Sequence, residues 1–523
     1  MKKVFAYDTT LRDGAQAQGI SFSVEDKLKI VRKLDELGIA YIEAGNPGSN
    51  PKDLEFFHRL SELRLKHAKI IAFGSTCKVG AKPEEDHQLA SLLSAETSAV
   101  AIFGKTWDYH VTDILRTTLD ENLRMIRDTL AFLKGQGKEV VFDAEHFFDG
   151  FKANPDYAML ALSAAVEGGA DSLVLCDTNG GRFPDEIFEI THKVVESFPG
   201  TAVGIHCHND CELAVANSVR AVQAGATQVQ GTINGIGERC GNANLCAIIP
   251  NLQFKLGYKL IPTQAMQQLT PIARFVSETA NVVHNDKAAY VGADAFTHKG
   301  GMHIDAVNKN PVSYEHVTPE SVGNARKVLM SEVAGRSTIL GKIKEVDASL
   351  DKDSPQTHAI IDRLKALEHD GYQFESAESS FELLVRKMLG KFSPSFILKD
   401  FKVIVNEPAP GGSNSSAMVK IHVDGEDEIT AAEGDGPVNA LDRALRRALD
   451  RFYPELREIR LTDYKVRVLD SNLASAAKVR VLIETSDAEN SWTTIGVSSD
   501  IIDASWRALV DAIEYKLAKT RRH

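Results

Sequence analysis

The sequence has few cysteines and no long apolar run. Its six cysteines are spread over 523 residues and form no Cys-x-x-Cys pair, which argues against a disulfide framework or a cysteine-based zinc finger. No apolar stretch reaches the ~18 residues that a membrane-spanning helix requires. The N-terminus carries two lysines but lacks the apolar segment of a signal peptide. We therefore expect a reduced, cytoplasmic protein that has no membrane partner.

The sequence also lacks an excess of positive charge. Lys and Arg number 60 against 72 Asp and Glu, so the formal net charge is −12. An acidic chain of this kind is a poor partner for nucleic acid. Hydrophobic residues make up 43% and charged residues 25%, which is ordinary for a globular protein and argues against extensive disorder. The length suits three to four domains of roughly 150 residues, or one barrel of about 250 residues with appendages.

Eight short apolar runs alternate with helical stretches over about the first 285 residues. Each run begins with apolar, often β-branched residues and becomes polar at its end. The runs are 4–8, 41–45, 69–74, 99–104, 139–145, 172–178, 202–208 and 227–233. Strands that are buried on both faces have this pattern, and eight strand–helix units predict an α/β fold of the (β/α)8 TIM-barrel type. One connecting helix is predicted to begin after Ser23 and to end at Gly38.

The pattern changes beyond about residue 290. Residues 290–340 are irregular, and two helical segments follow at roughly 354–370 and 376–390. From about 398 we predict a strand, a Gly/Ser loop, a second strand, a helix, three strands and a final helix. The prediction is therefore a TIM-barrel catalytic domain over 1–285, a helical linker region over 286–397 and an α+β domain over 398–523.

His206 and His208 form the sharpest local pattern in the sequence. At positions i and i+2 of a strand their side chains point to the same face, and in a barrel the strands' carboxyl ends hold the active site. Two imidazoles at this spacing can bind one divalent cation. A carboxylate from strand one (Asp13 or Asp8) and the amide oxygen of Asn242 could complete a site suited to Zn²⁺, Mn²⁺, Co²⁺ or Mg²⁺. The alternative is a hydrogen-bonded histidine pair at the barrel rim.

Three more polar residues lie at predicted strand ends. Arg12, beside Asp13, could hydrogen-bond a substrate carbonyl or carboxylate, or form a surface salt bridge instead. Glu145 could act as a general acid or base, or cap a loop. Thr178 could donate to a carboxylate, or bond its own backbone.

The irregular segment contains a histidine and a tyrosine that could transfer protons. His303 and Tyr314 lie eleven residues apart in this segment. If the fold brings them over the barrel mouth, the pair could take part in acid–base chemistry. Taken alone, the sequence of this segment favours the interpretation that both are polar loop residues without a catalytic role.

Three motifs together resemble one family. YDTTLRDGAQ at 7–16, HCHND at 206–210 and GERCGN at 237–242 resemble the isopropylmalate, homocitrate and citramalate synthases, which are metal-dependent acyl-transferring barrels. Segments 433–445 and 494–509 resemble the regulatory dimerisation domain of this family, so the resemblance spans nearly the whole chain. Segments 24–57 and 142–155 look most like the long-chain citramalate synthases.

The resemblance implies a role for each candidate residue. It implies that the metal is bound by Asp13, His206, His208 and Asn242. Arg12 would contact the keto oxygen of a 2-oxo acid, Thr178 its carboxylate, and Glu145 would assist proton transfer. His303, which matches the histidine of the family's corresponding segment, and Tyr314 would lie near the methyl group of the co-substrate acetyl-CoA.

The resemblance also implies a reaction and its regulation. Acetyl-CoA would condense with pyruvate and water to give (R)-citramalate and CoA for isoleucine synthesis. A homodimer would be inhibited by isoleucine, or else leucine, with backbone donors from the 411–417 loop. The alternatives are 2-isopropylmalate synthase, which would use 2-oxoisovalerate, and homocitrate synthase. More distant alternatives are an acyl-CoA lyase, an aldolase, a biotin-dependent carboxyltransferase or a non-catalytic amino-acid sensor.

Overall fold

The computed structural model divides the chain into two compact units. The first comprises Met1–Thr297 and Glu315–Lys327, and the second comprises His298–Tyr314 and Val328–His523. Because these units interleave along the chain, the three-domain division at 285 and 397 stays a prediction. The structure describes residues 2–48, 51–60, 63–328, 340–341, 343–344, 346–351, 353–374, 377–406, 414–469, 477–487 and 490–520.

Eight parallel strands close into a barrel in the first unit, which confirms the predicted fold class. They are β1 (Phe5–Asp8), β2 (Tyr41–Gly45), β3 (Lys69–Ser75), β4 (Ala99–Lys105), β5 (Glu139–Glu145), β6 (Ser172–Asp177), β7 (Ala202–Cys207) and β8 (Gln228–Gly231). Sequential strands pair, and β1 closes the barrel on β8 with Phe5 opposite Gln228. The continuous apolar runs become strands because both faces of each strand are covered.

Helices connect the strands of the barrel. They are α1 (Val24–Leu37), α2 (Pro51–Leu60), α3 (His87–Ser94), α4 (Leu119–Gly135), α5 (Phe147–Ala153), α6 (Pro155–Glu167), α7 (Pro184–Ser197), α8 (Ala214–Gln223), α9 (Leu245–Pro250) and α10 (Leu269–Thr279). The predicted ends of α1 are confirmed: the Ser23 hydroxyl accepts from the Asp26 N–H, and Gly38 ends the helix at φ 88°. Two short strands, β9 (Thr297–His298) and β10 (Lys327–Val328), lie where the chain passes between the units.

The second unit contains helices and two three-stranded antiparallel sheets. Its elements are α11 (Gly301–Lys309), α12 (Pro355–His369), α13 (Glu378–Met388), β11 (Ile397–Val405), β12 (Ser415–Val423), β13 (Glu426–Gly434), α14 (Pro437–Leu449), β14 (Arg460–Val468), β15 (Val479–Ser486), β16 (Ser491–Ser498) and α15 (Ile501–Thr520). The last eight elements form two successive repeats of three strands and a helix. This repeat gives each sheet one helix to cover its apolar face.

Two of the longer elements differ from the prediction. Strand β13 was not predicted, because EDEITAAEG has little β-propensity; pairing with all of β12 stabilises it instead. Helix α11 lies in the segment that was expected to be irregular, and it buries Ile304 and Val307 one turn apart. Residues 411–413 of the Gly/Ser loop lie outside the described residues. Among the described helices, none has the length and hydropathy to cross a membrane.

Candidate active site

The carboxyl ends of the barrel strands surround a cavity of about 280 Å³. Six residues singled out in the sequence line it: Arg12, Asp13, Glu145, Thr178, His206 and His208. Asp143, at the end of the fifth predicted strand, also lines the cavity, as do Phe73 and Phe103, which were not predicted. A cavity with convergent polar groups at this end of a barrel is the expected position of an active site.

Asp13, His206 and His208 form a compact triangle of buried ligand atoms. Asp13 Oδ2 lies 3.2 Å from His206 Nε2 and 3.8 Å from His208 Nε2, and the two Nε2 atoms are 3.4 Å apart. Ligands bonded at about 2.1 Å to one cation lie roughly 3.0–3.4 Å apart, so the spacing suits a divalent metal. The three side chains form the one group of acidic, His and Cys residues in the described chain with metal-binding spacing.

Asn242 lies beside this triangle. It forms an isolated β-bridge with His208, and a Cβ on Gly237 would lie only 2.1 Å from its Nδ2. Among the described residues, neither amide atom of Asn242 has a hydrogen-bond partner. A buried polar group left unpaired costs about 1–3 kcal/mol, and coordination of a cation by the amide oxygen would remove part of this cost. The residues present therefore fit a divalent cation.

Gln230 sets the orientation of His206. His206 Nδ1 lies 2.8 Å from Gln230 Oε1, and Gln230 Nε2 donates to Asp143 Oδ1 at 3.2 Å. The amide oxygen accepts the Nδ1 hydrogen, which leaves Nε2 as the ligand atom when His206 is neutral. Burial, and then the charge of Glu43, raise the pKa of Asp143 to about 7. Sequence reasoning missed Gln230, although a polar residue inside a buried strand was an available signal.

The pKa values of the three residues in the triangle are shifted in different directions. Burial opposes ionisation of Asp13, but Arg12 and the two imidazoles hold its pKa well below the usual range. Burial lowers the pKa of His206, but the Asp13 carboxylate outweighs this and raises it overall. Burial and the neighbouring His206 lower the pKa of His208 to about 4. The site therefore favours an ionised carboxylate and a neutral His208, which are the ligand forms a metal requires.

Arg12 is held rigidly next to Asp13. Its Nε donates to Glu43 Oε1, its Nη1 lies 3.4 Å from Asp13 Oδ2, and its guanidinium lies 4.0 Å from the Phe73 ring centre. The Tyr7 hydroxyl donates to Glu43 Oε2 at 2.6 Å. Burial would lower the pKa of Arg12, but the carboxylates of Glu43 and Asp13 raise it overall. A fixed positive charge therefore lies beside the candidate ligands, and sequence reasoning missed Glu43, which holds it.

Glu145 and Thr178 also have defined partners. Glu145 forms an ion pair with Lys105, which sequence reasoning missed. The Thr178 hydroxyl oxygen accepts from the His146 N–H at 2.9 Å, so its own hydrogen is left to donate. His146 is a non-glycine residue at φ 55°. Both predicted side chains thus line the cavity in orientations set by neighbouring strand ends.

Arg239 joins the loops that follow three strands. Its guanidinium donates to both Asp210 carboxylate oxygens at 2.8 and 3.0 Å and to the Thr178 carbonyl at 2.7 Å. The residue has φ 55°, an uncommon conformation for arginine. Since Arg239 follows β8, Asp210 follows β7 and Thr178 follows β6, one side chain fixes three loops around the cavity.

His303 and Tyr314 belong to the second unit. His303 is on α11, Tyr314 lies five residues beyond its last residue, and their rings stack with centres 4.2 Å apart. Tyr314 is 47% exposed. The pair expected from sequence is therefore together, and its role toward the barrel stays a prediction.

Comparisons with known families account for most of the chain. Residues 3–276 match the family described as HMGL-like. Residues 290–371 match a homocitrate synthase post-HMGL domain-like family. Residues 375–517 match the LeuA allosteric (dimerisation) domain. The three matches follow one another in the order that the sequence motifs indicated.

Several curated relatives match over nearly their full length. The (R)-citramalate synthase of Aquifex aeolicus is 54% identical over 519 residues, 99% of this chain and 98% of its own. That of Geobacter sulfurreducens is 52% identical over 521 residues, 99% of this chain and 98% of its own. The 2-isopropylmalate synthase of Methanocaldococcus jannaschii is 32% identical over 526 residues, 99% of this chain and 96% of its own.

Proposed function

The chain belongs to the HMGL-like family and, within it, to the citramalate synthase group, and from this premise we propose that it condenses acetyl-CoA and pyruvate with water to (R)-citramalate and CoA. It is thus an acyltransferase that converts the acyl group to an alkyl group on transfer. The observation that carries the proposal is the triangle of Asp13, His206 and His208 with Arg12 fixed beside it. This arrangement suits a reaction in which a ketone becomes an alkoxide.

The residues present would hold Mn²⁺, Mg²⁺, Co²⁺ or Zn²⁺. We expect the ligands of this cation to be Asp13, His206, His208 and Asn242. When bound, a divalent cation supplies a Lewis acid that polarises the ketone of the 2-oxo acid. Gln230 contributes by holding His206 in the tautomer that ligates through Nε2.

Arg12 and Thr178 bind and orient the 2-oxo acid in this proposal. Arg12 donates to the ketone oxygen and offsets the negative charge that develops when the carbon–carbon bond forms. Its salt bridge to Glu43 keeps the guanidinium in place before substrate arrives. The Thr178 hydroxyl donates to the substrate carboxylate, because its oxygen is already engaged by His146.

Two proton transfers are assigned to other side chains. The His303–Tyr314 pair removes a proton from the acetyl-CoA methyl group, the resulting carbanion attacks the ketone carbon, and the alkoxide so formed takes up the proton that the pair removed. Glu145 forms an ion pair with Lys105. It accepts a proton from the water that attacks the thioester, and the CoA thiolate leaves. Hydrolysis of the thioester makes the sequence effectively one-way.

A pair of aromatic rings favours pyruvate over larger 2-oxo acids. Phe73 and Phe103 stack with ring centres 5.5 Å apart and an interplanar angle of 18°, and both line the cavity. Each methylene that a pocket must accommodate or reject is worth about 1–3 kcal/mol. We propose that the alkyl group of the 2-oxo acid faces these rings, so that the two extra carbons of 2-oxoisovalerate have less room than the methyl group of pyruvate.

A substrate panel tests the proposal. CoA thiol release from acetyl-CoA is measured with pyruvate, 2-oxobutyrate, 2-oxoisovalerate and 2-oxoglutarate, before and after treatment with a chelator. We expect the highest kcat/KM with pyruvate, an (R)-configured product, and loss of activity on chelation that Mn²⁺ or Mg²⁺ restores. A higher kcat/KM with 2-oxoisovalerate would favour 2-isopropylmalate synthase. Failure of all four acids would reject the synthase proposal.

The second unit is proposed to regulate the enzyme. Residues 375–517 match a dimerisation domain, which supports a homodimer, a branched-chain amino acid as effector and a role in isoleucine synthesis. The proposed regulatory domain is 398–523. Isoleucine, or else leucine, should lower the initial rate in a titration of the full-length enzyme. An enzyme that is monomeric by light scattering and responds to neither amino acid would contradict this part of the proposal.

A further inference from the structure

Strand β2 contains a bulge directly after Glu43. Glu43 pairs with Ile71 of β3, but Gly45 pairs with Ala72, so β2 advances two residues while β3 advances one. Ala44 is the extra residue. A bulge changes the direction in which neighbouring side chains point, and bulges are common next to active sites. Here it adjoins the carboxylate that holds Arg12.

A buried lysine binds the carbonyl of the bulged residue. Lys27, on α1, donates from Nζ to the Ala44 carbonyl oxygen at 2.9 Å and to Asp53 Oδ1 at 2.6 Å. Only 5% of its side chain is exposed, and the Phe56 ring centre lies 5.5 Å from its ammonium. Burial lowers the pKa of Lys27, although the Asp53 carboxylate opposes the shift. The ammonium is therefore enclosed between α1, the bulge and α2.

Asp53 binds the other side of the bulge. Its Oδ2 accepts from the Asn46 N–H at 2.9 Å. A Cβ on Gly45 would lie 2.4 Å from the same oxygen, and Gly45 has φ 149°. Only glycine allows the backbone to approach the carboxylate this closely. Lys27 and Asp53 thus bind the chain at Ala44, the extra residue, and at Asn46, on either side of Gly45.

Stability alone is a weak reason for this ion pair. A buried salt bridge gains little over an apolar pair of the same volume, because both charges lose their hydration. The two side chains instead fix the end of β2, which carries Glu43. Glu43 accepts from the Tyr7 hydroxyl and from Arg12, and is itself fully buried. A small shift of the bulge would move this carboxylate and the guanidinium that it orients.

We propose that Lys27 and Asp53 are positioning residues: by fixing the bulge at Ala44 they hold Glu43, and through it Arg12, beside the candidate metal ligands. The catalytic part of this inference rests on the proposed condensation. A displacement of about 1 Å in a catalytic group can lower a rate about 100-fold. The structural part concerns the bulge alone and can be measured without substrate.

The first test uses the double variant Lys27→Met/Asp53→Asn. It removes both charges together, so no unpaired buried charge remains, and the introduced amide keeps one oxygen that can accept from the Asn46 N–H. We expect kcat to fall at least about tenfold, with KM for acetyl-CoA and bound metal within about twofold of the unmodified enzyme. The matched control is Lys33→Met, on the exposed side of the same helix, where Lys33 pairs with Glu36 at 2.8 Å. It should leave kcat unchanged.

The second test asks whether the pair acts through Glu43. The double variant is combined with Glu43→Gln, and kcat is measured for each step of the cycle. If Lys27 and Asp53 act by positioning Glu43, the double variant should lower kcat less than about threefold in the Glu43→Gln background. Equal losses in both backgrounds would overturn the proposal, because the pair would then act elsewhere.

The third test measures the bulge directly by hydrogen–deuterium exchange. Peptides that cover 41–48 should exchange at least about tenfold faster in the double variant, and at the unmodified rate in Lys33→Met. Unchanged exchange, or a wild-type kcat in the double variant, would overturn the proposal. If the unmodified enzyme forms no citramalate but the exchange result is as expected, the proposed function fails and the structural role of the pair stands.

Discussion

Buried side chains that carry a polar atom without a hydrogen-bond partner cluster in the first unit, whereas the described part of the second unit contains none. Asn242 and His208 are two of them, and both adjoin the cavity at the barrel mouth. In the second unit the buried Glu514 instead accepts from the backbone N–H and the hydroxyl of Ser395, each at 2.8 Å. Native proteins rarely leave such atoms unpaired, so the amide of Asn242, beside the cavity, is a place where a ligand could supply the partner.

Backbone conformation differs between the units in the same way. Asp424 is the one described non-glycine residue of the second unit with a positive φ, and it precedes Gly425 in the β12–β13 turn. In the first unit, residues at positive φ include His146, Asn234 and Arg239, which follow β5 and β8 at the cavity end of the barrel. Strained residues of this kind persist where the surrounding structure holds them, and they concentrate at functional sites. The uncommon backbone conformations at the cavity end of the barrel therefore fit a functional site, whereas that of Asp424 lies in a turn between two strands.

The largest effect is expected at the metal triangle. Asp13→Asn removes the carboxylate that both imidazoles face, so kcat should fall at least about 100-fold and the purified protein should lose its metal. Metal analysis and CoA release measure the two effects. The matched control is Asp185→Asn, whose carboxylate is 88% exposed and pairs with Arg220. If Asp13→Asn kept its metal and its activity, the candidate metal site would not distinguish the first unit from the second.

A core substitution in the second unit should lower stability instead. Leu445 on α14 is fully buried among apolar residues, so Leu445→Ala should lower the free energy of unfolding by about 2–5 kcal/mol. Metal content should stay unchanged. Denaturant unfolding measures the effect, and Leu160→Ala, at a leucine that is 53% exposed, serves as the control. Loss of metal in Leu445→Ala would show that metal binding also depends on the core of the second unit.

Two arginines with the same fork geometry offer a closer comparison. Arg239→Lys should lower kcat about tenfold, because lysine cannot bind both Asp210 oxygens and the Thr178 carbonyl together. Arg457→Lys alters a similar fork to Asp450 on the surface of the second unit. We expect it to leave kcat unchanged. Equal rates for both variants would mean that the Arg239 contacts only stabilise loops.

The smallest effect is expected at the strained residue of the second unit. Asp424→Gly should change the free energy of unfolding by less than about 1 kcal/mol, because glycine adopts φ 48° without strain. Asn234→Gly should be the more harmful change, since Asn234 donates to the Ala273 carbonyl at 2.7 Å and to Ser277 at 2.9 Å. Thermal melts compare the two variants. A larger loss of stability in Asp424→Gly than in Asn234→Gly would contradict this order of effects.

Much of the barrel and part of its site were predictable from the chain itself. The eight apolar runs predicted every barrel strand, because strands buried on both faces need continuous apolar sequence. The i, i+2 spacing of His206 and His208 predicted that they share a face. In contrast, β13 was missed, because its charged sequence is stabilised by pairing with β12 and not by its own propensity.

The fold class, the family and the candidate ligands could be read from the sequence. Those properties depend on local patterns: hydrophobic periodicity, residue type at strand ends, and motifs of a few residues. The tertiary structure alone decided which side chains support them. Glu43 meets Arg12, Gln230 meets His206, and Lys27 meets the bulge at Ala44 across 31, 24 and 17 residues of chain. Such contacts are set by strand register and helix packing, and no local spacing encodes them.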